Sequence, residues 1–160
     1  YDDPFRNVAS IMINLMLQDR QPIIYGDGEQ KRSFSDVDDC IYCIDKLATD
    51  PNIKSQLVNI GPGPENEITI NKLYQIISNQ LKYNKEAIKK PERVNEVKYA
   101  ICSSDLSERL LKIKSNQNIE EVISKMIDFI KKKGPKKFNY NYQIEIQNEL
   151  TPDTWKKKLI

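Results

Sequence analysis

The apolar positions of the chain follow two rhythms, one helical and one extended. Between residues 5 and 19, Phe5, Val8, Ala9, Met12, Ile13, Leu15, Met16 and Leu17 recur at helical spacing, which predicts a helix with a broad buried face. Pro22 stops it, and Pro22-Ile23-Ile24-Tyr25 reads as a short strand closed by the turn Gly26-Asp27-Gly28. A second short strand is expected over 32–35. Asp36, Asp38 or Asp39 then caps a helix over 37–48. Leu57, Val58 and Ile60 predict a strand over 56–60, stopped by Gly61-Pro62-Gly63-Pro64. Thr69 or Asn71 starts a helix carrying Leu73, Tyr74, Ile76, Ile77 and Leu81. Residues 94–102 read as extended, and Ser103 or Ser104 caps a short helix over 106–111. Asn118 caps a helix over 119–132 with Val122, Ile123, Met126, Ile127 and Ile130 on one face, ended by Gly134-Pro135. Residues 140–146 alternate like a strand, and Thr151-Pro152-Asp153 has a cap, a proline at the first helical position and an acidic first turn. Residues 135–160 are therefore expected to be a C-terminal extension (strand plus short helix) outside a main unit of 1–134. Helices alternating with short strands indicate α/β or α+β architecture. The strong Val/Ile runs of a complete doubly wound sheet are lacking.

Composition narrows the function classes. At 160 residues the chain has the length of one ordinary domain, and 39% hydrophobic with 30% charged residues excludes a disordered chain. The longest apolar stretch, 8–17, is about half of the ~20 residues a membrane span needs, and no secretory signal is expected. The absence of histidine excludes a Ser-His-Asp triad, a His-ligated zinc and an imidazole base. A net charge of +2 does not by itself imply nucleic acid. The late lysines (Lys131 to Lys133, Lys136, Lys137, Lys156 to Lys158) read either as solvated helix ends or as a phosphate-binding patch. Cys40-x-x-Cys43 has zinc-like or redox-like spacing, but with Cys102 the chain offers three cysteines where a structural zinc needs four ligands. Ile41 and Tyr42 lie between them in a helical run, so all three are expected to be buried thiols in a reducing, cytoplasmic compartment.

Three motifs carry candidate chemistry. Tyr42-x-x-x-Lys46 places a phenol and an ammonium on one helix face, the spacing of a tyrosine base, though an amphipathic helix produces it equally. Gly61-x-Gly63 follows an expected strand, but Asn66 stands where a third glycine should, and Pro62 and Pro64 remove donors for a pyrophosphate; it reads as a rigid turn. The run from Pro22 to Asp39 joins a strand, a glycine turn, Arg32 with its planar fork of donors and an acidic helix cap.

That last run resembles the corresponding stretch of extended short-chain dehydrogenases/reductases, more narrowly the NAD-dependent nucleotide-sugar epimerases and dehydratases of the UDP-glucose 4-epimerase kind. Asn59-Ile60-Gly61 is similar to the family's next strand, and Ile68-Thr69-Ile70-Asn71-Lys72-Leu73 to the helix after it. Arg93-x-x-Glu96-Val97 resembles its late Arg-x-x-Asp-Val element, and 102–111 with 119–130 its closing helices. The resemblance spans about residues 1–134 and is to the C-terminal, substrate-binding half of an α/β fold that lacks most of the Rossmann sheet. It implies that the NAD loop and the catalytic Tyr/Lys pair belong to a missing N-terminal Rossmann half. Tyr42 and Lys46 come too late in the chain to be that pair.

The resemblance also implies roles for individual residues. Asn7 and Val8 match the start of the substrate helix, where a helix N-terminus meets the diphosphate. Ile23, Ile24 and Tyr25 match the strand beside the base. Arg32 and Arg93 match phosphate-binding arginines, and Glu96 a carboxylate, usually Asp, that contacts the ribose. From the residues alone, Arg32 is equally a partner for Asp36 or Asp38. The expected function is the nucleotide-diphosphate-sugar-binding portion of an NAD-dependent epimerase, with a UDP-sugar favoured. A 4,6-dehydratase or decarboxylase of the same family and a non-enzymatic nucleotide-sugar-binding module are the alternatives. The implied cofactor is NAD in the parent protein and none bound by this chain alone, so no turnover is expected of 1–160. Self-association is expected through surface that the missing half would cover; no nucleic acid and no membrane are expected as partners.

Overall fold

A computed structural model describes residues 1–63, 67–112, 118–141 and 143–160. The first helix, α1 (Val8–Leu17), is shorter than its apolar pattern. Asn7 adopts left-handed backbone geometry (φ 64°) and its Oδ1 accepts the Ser10 N–H at 3.3 Å, so the helix begins at Val8. Left-handed Asp19 (φ 58°) closes the other end. β1 (Ile23–Tyr25) follows directly and inserts Ile24 under the helices.

The turn after β1 needs glycine. Gly28 has φ 77°, and a Cβ there would lie 2.2 Å from Asn71 Oδ1. That asparagine ties the turn down by donating from Nδ2 to the Asp27 carbonyl at 2.8 Å. β2 (Lys31–Ser33) runs antiparallel to β3 (Glu67–Thr69), with Arg32 opposite Ile68, and parallel to β5 (Tyr99–Ala100), with Arg32 opposite Ala100. β1 pairs separately and in parallel with β4 (Ile88–Lys90). Two small sheets therefore replace one large one.

α2 (Val37–Thr49) is capped by Asp36, which accepts the Asp38 N–H at 3.0 Å. α3 (Ile70–Leu81) is capped by Thr69, and α5 (Ile119–Lys133) by Asn118. α4 (Asp105–Leu111) lies against α2. The core forms where α1, α3 and α5 meet, around Met12, Ile13 and Met16, Leu73 and Ile77, and Ile123, Ile127 and Ile130. The lysines Lys131 to Lys133 form the last turn of α5, where cations complement the helix dipole. Among the described residues no helix is long and apolar enough to cross a membrane.

Several expectations are corrected. Residues 56–60 form no strand: none of the described residues pairs with them, and Leu57 is 93% exposed. The extended run expected over 94–102 is broken by left-handed Asn95 (φ 59°), which leaves only β5. The alternation at 140–146 also forms no strand among the described residues; Tyr142 lies outside them, as do Pro64 and Asn66. Tyr140 instead stacks edge-on with Phe5 and donates its hydroxyl to the Ile160 carbonyl at 2.9 Å. The last helix, α6 (Asp153–Lys156), has Pro152 rather than Thr151 at its cap. Of the three thiols only Cys43 is buried, and burial pushes it up from its ordinary pKa; Cys40 is half-buried, and Cys102 is exposed where the chain leaves β5.

The extension packs on the main body. Asn14, fully buried in α1, donates to the Lys136 carbonyl at 2.8 Å and accepts the Lys136 N–H at 3.0 Å. Phe138 and Ile160 then bury against Leu15.

Candidate functional site

The site grows from the start of α1, the edge of β1 and the strand β2. These elements border a cavity of about 260 Å³. It brings together all eight residues singled out in the sequence: Asn7, Val8, Ile23, Ile24, Tyr25, Arg32, Arg93 and Glu96.

Its polar part is built around one carboxylate. Glu96, with its side chain only 6% exposed, accepts from Arg32 Nη2 at 2.9 Å through one oxygen and from Arg93 Nε through the other. Arg32 also donates from Nη1 to its neighbour's carbonyl, that of Lys31, at 2.7 Å. A buried carboxylate is costly unless compensated; two guanidiniums compensate it and leave the group net positive. The arginines are half-buried, so they combine a fixed position with access to the cavity. The alternative reading of Arg32, an ion pair with Asp36 or Asp38, is not what forms: Arg32 pairs with Glu96. Both aspartates pair with Lys125 of α5, at 2.8 and 3.3 Å, because Asp36 faces the helix core while Arg32 faces the cavity.

The apolar part of the lining is Ile23, Ile24 and Tyr25 of β1 together with Phe5, Trp155 and Ile160. The Arg93 guanidinium lies over the Tyr25 ring, 5.2 Å from its centroid, and so links the two parts. Asn7 spends its side-chain oxygen on capping α1. Pattern reading missed Phe5, Thr154, Trp155 and Ile160. Tryptophan is unique in the chain, but nothing in the residues around Trp155 ties it to this cavity.

A larger cavity, about 620 Å³, shares Arg6 and Asn7 with the first and extends between Tyr1, the Asp36–Lys125 pair and α5. Tyr42 and Lys46 line neither cavity; the Lys46 ammonium sits 5.5 Å from the centroid of the exposed Tyr42 ring. Among the described residues the Gly61-to-Gly63 segment follows no strand and opens no helix, so it does not fit a dinucleotide loop.

Residues 2–61 match the NAD dependent epimerase/dehydratase family. A Methanocaldococcus jannaschii protein provisionally named UDP-glucose 4-epimerase is 35% identical over 124 residues, which are 78% of this chain and 39% of that protein. The chain is thus similar to the epimerase/dehydratase family over residues 2–61 and to this relative over 78% of its own length. Its fold agrees with solved epimerases. UDP-glucose 4-epimerase of Thermotoga maritima, determined with UDP-glucose, superposes with a TM-score of 0.73 at 26% identity, covering 82% of this chain and 42% of that one. A UDP-glucuronic acid 4-epimerase variant of Bacillus cereus, determined with UDP-4-deoxy-4-fluoro-glucuronic acid and NAD, gives 0.67 at 27%, covering 80% and 40%. This α/β chain thus spans about two fifths of the length of the relatives it matches.

Proposed function

We propose that this chain is the nucleotide-sugar-binding portion of an NAD-dependent sugar-nucleotide epimerase of the UDP-sugar 4-epimerase type. The observation that carries the reading is the arginine pair on Glu96 in a cavity whose lining also has an apolar part. Planar guanidiniums suit the oxygens of a diphosphate, and a flat apolar wall suits a base. The likeness to the UDP-glucose 4-epimerases favours a uridine nucleotide and a hexose.

On this reading the chain supplies position rather than bond-making. Contacts to the unreacting diphosphate fix where the sugar lies, and fixing two reactants is worth several kcal/mol of barrier. NAD chemistry, a hydride withdrawn from the sugar and returned, would belong to residues outside this chain, because the Gly61-to-Gly63 segment does not fit the dinucleotide. The stripe Val37, Ile41 and Ile44 on α2, exposed by 65%, 59% and 60%, suits a contact with that further portion.

Calorimetric titration of the chain with UDP tests the proposal. Binding is expected, weakened at least tenfold in Arg93→Ala and in Arg32→Ala. Undiminished affinity in both variants would overturn it.

A further inference from the structure

We propose that the C-terminal segment 152–160 is part of the ligand site, with Thr154 and Trp155 forming the wall against which the base of a bound nucleoside diphosphate packs. This rests on the diphosphate reading of the arginine pair and adds the other half of the ligand.

Tyr25 connects the two halves. Its ring lies beneath the Arg93 guanidinium, while its hydroxyl donates to Thr154 Oγ1 at 3.1 Å and accepts the Thr154 N–H at 2.9 Å. One side chain thus sets both an arginine and the tail. Trp155 is fixed next to it, edge-on to Phe5 with ring centroids 5.5 Å apart at 86°. Phe5 in turn meets Tyr140 edge-on at 5.8 Å, whose hydroxyl holds the Ile160 carbonyl at 2.9 Å. The segment is anchored at both ends of its course, and Ile160 is buried. Trp155 itself is only half-buried and borders the cavity, so its ring is held and still reachable.

The lining of the cavity then offers two kinds of surface. Guanidiniums take phosphate oxygens; indole and phenyl rings offer π-surface to a heterocycle. At about 260 Å³ the cavity is near the lower bound of ~300 Å³ for small-molecule clefts, so every wall residue shapes what fits.

The unique tryptophan makes the test direct. The 160-residue chain is titrated with UDP and with inorganic pyrophosphate, following heat and Trp155 emission. UDP is expected to quench Trp155 saturably, at the concentrations where heat is released. Trp155→Ala is expected to weaken UDP by about tenfold and pyrophosphate by less than about twofold, while Trp155→Phe recovers most of the UDP affinity and controls for folding. Heat from UDP with unchanged Trp155 emission, or equal affinity in Trp155→Ala, overturns the inference and leaves the arginine reading standing. Tighter UDP binding in Trp155→Ala also overturns it and makes the segment a plug. No heat with the unmodified chain overturns the arginine reading, and this inference with it.

Discussion

Asn14 sets how firmly the extension is held, and replacing it gives a measurable cost. It is fully buried in the middle of α1. Its amide donates to the Lys136 carbonyl at 2.8 Å and its oxygen accepts the Lys136 N–H at 3.0 Å, a two-bond clasp at the root of the extension. Asn14→Ala removes both. Each bond is worth about 1 kcal/mol net. The Lys136 carbonyl keeps a second donor, Gln18 Nε2 at 3.0 Å, but the Lys136 N–H loses its recorded partner, at a further cost of about 1–3 kcal/mol. Alanine returns up to about 0.7 kcal/mol of helix propensity. The balance is a loss of roughly 2–4 kcal/mol, or a fall in Tm of about 5–15 °C for a chain of this size. Urea unfolding followed by far-ultraviolet circular dichroism measures it. Gln18→Ala is the comparison: it removes the Gln18 Nε2 bonds to Asn14 Oδ1 at 3.2 Å and to the Lys136 carbonyl at 3.0 Å but keeps both Asn14–Lys136 bonds and strands no N–H, so it is expected to cost less than Asn14→Ala. If Asn14→Ala costs no more than Gln18→Ala, the clasp does not hold the extension.

Two further outcomes follow from α2. The Lys125 ammonium, and after it the Asp38 N–H, hold the Asp36 carboxyl below its ordinary pKa of 3.8. Because the folded value is the depressed one, this stabilisation is complete at neutral pH and is lost as pH falls below about 3.8 toward the folded value. Asp36→Asn, which keeps a capping oxygen, is expected to flatten the fall in stability between pH 5 and pH 2; an unchanged slope in acid denaturation would refute the assignment. The exposed stripe Val37, Ile41 and Ile44 is expected to drive self-association, which Ile41→Lys with Ile44→Glu should abolish. Sedimentation showing the unmodified chain monomeric from micromolar to millimolar concentration would count against it.

Helices were legible because their signals are local. Asp36, Thr69 and Asn118 stand at the caps that their side chains and positions suggest, and the stripe Val122, Ile123, Ile127 and Ile130 faces the core as its spacing demands. Strands depend on partners elsewhere, and there local pattern failed in both directions. Leu57, Val58 and Ile60 have strand character and no ladder to join. Ile88, Lys89 and Lys90 have little strand character and become β4 because β1 offers an edge. The site divides likewise. The resemblance picked out Arg32, Arg93 and Glu96, which line the cavity, whereas Trp155 is held beside it by the Tyr25–Thr154 bonds and the Phe5 contact, which span 129 residues and 150 residues of chain.

The same distinction explains why Glu96 is the residue on which the polar part of the site turns. Arg32 and Arg93 lie on separate segments, and β2 can fix only the first of them. Parallel pairing of Arg32 with Ala100 brings the approach to β5 alongside, and left-handed Asn95 bends the preceding chain so that Glu96 points back beneath both guanidiniums. Each carboxylate oxygen has two acceptor positions, and each spends one on an arginine. Glutamate, one methylene longer than aspartate, suits a carboxylate that must span two guanidiniums rather than one. The cost of setting two like charges side by side is met within the fold, so a phosphate bound as proposed would meet a cationic fork already in place.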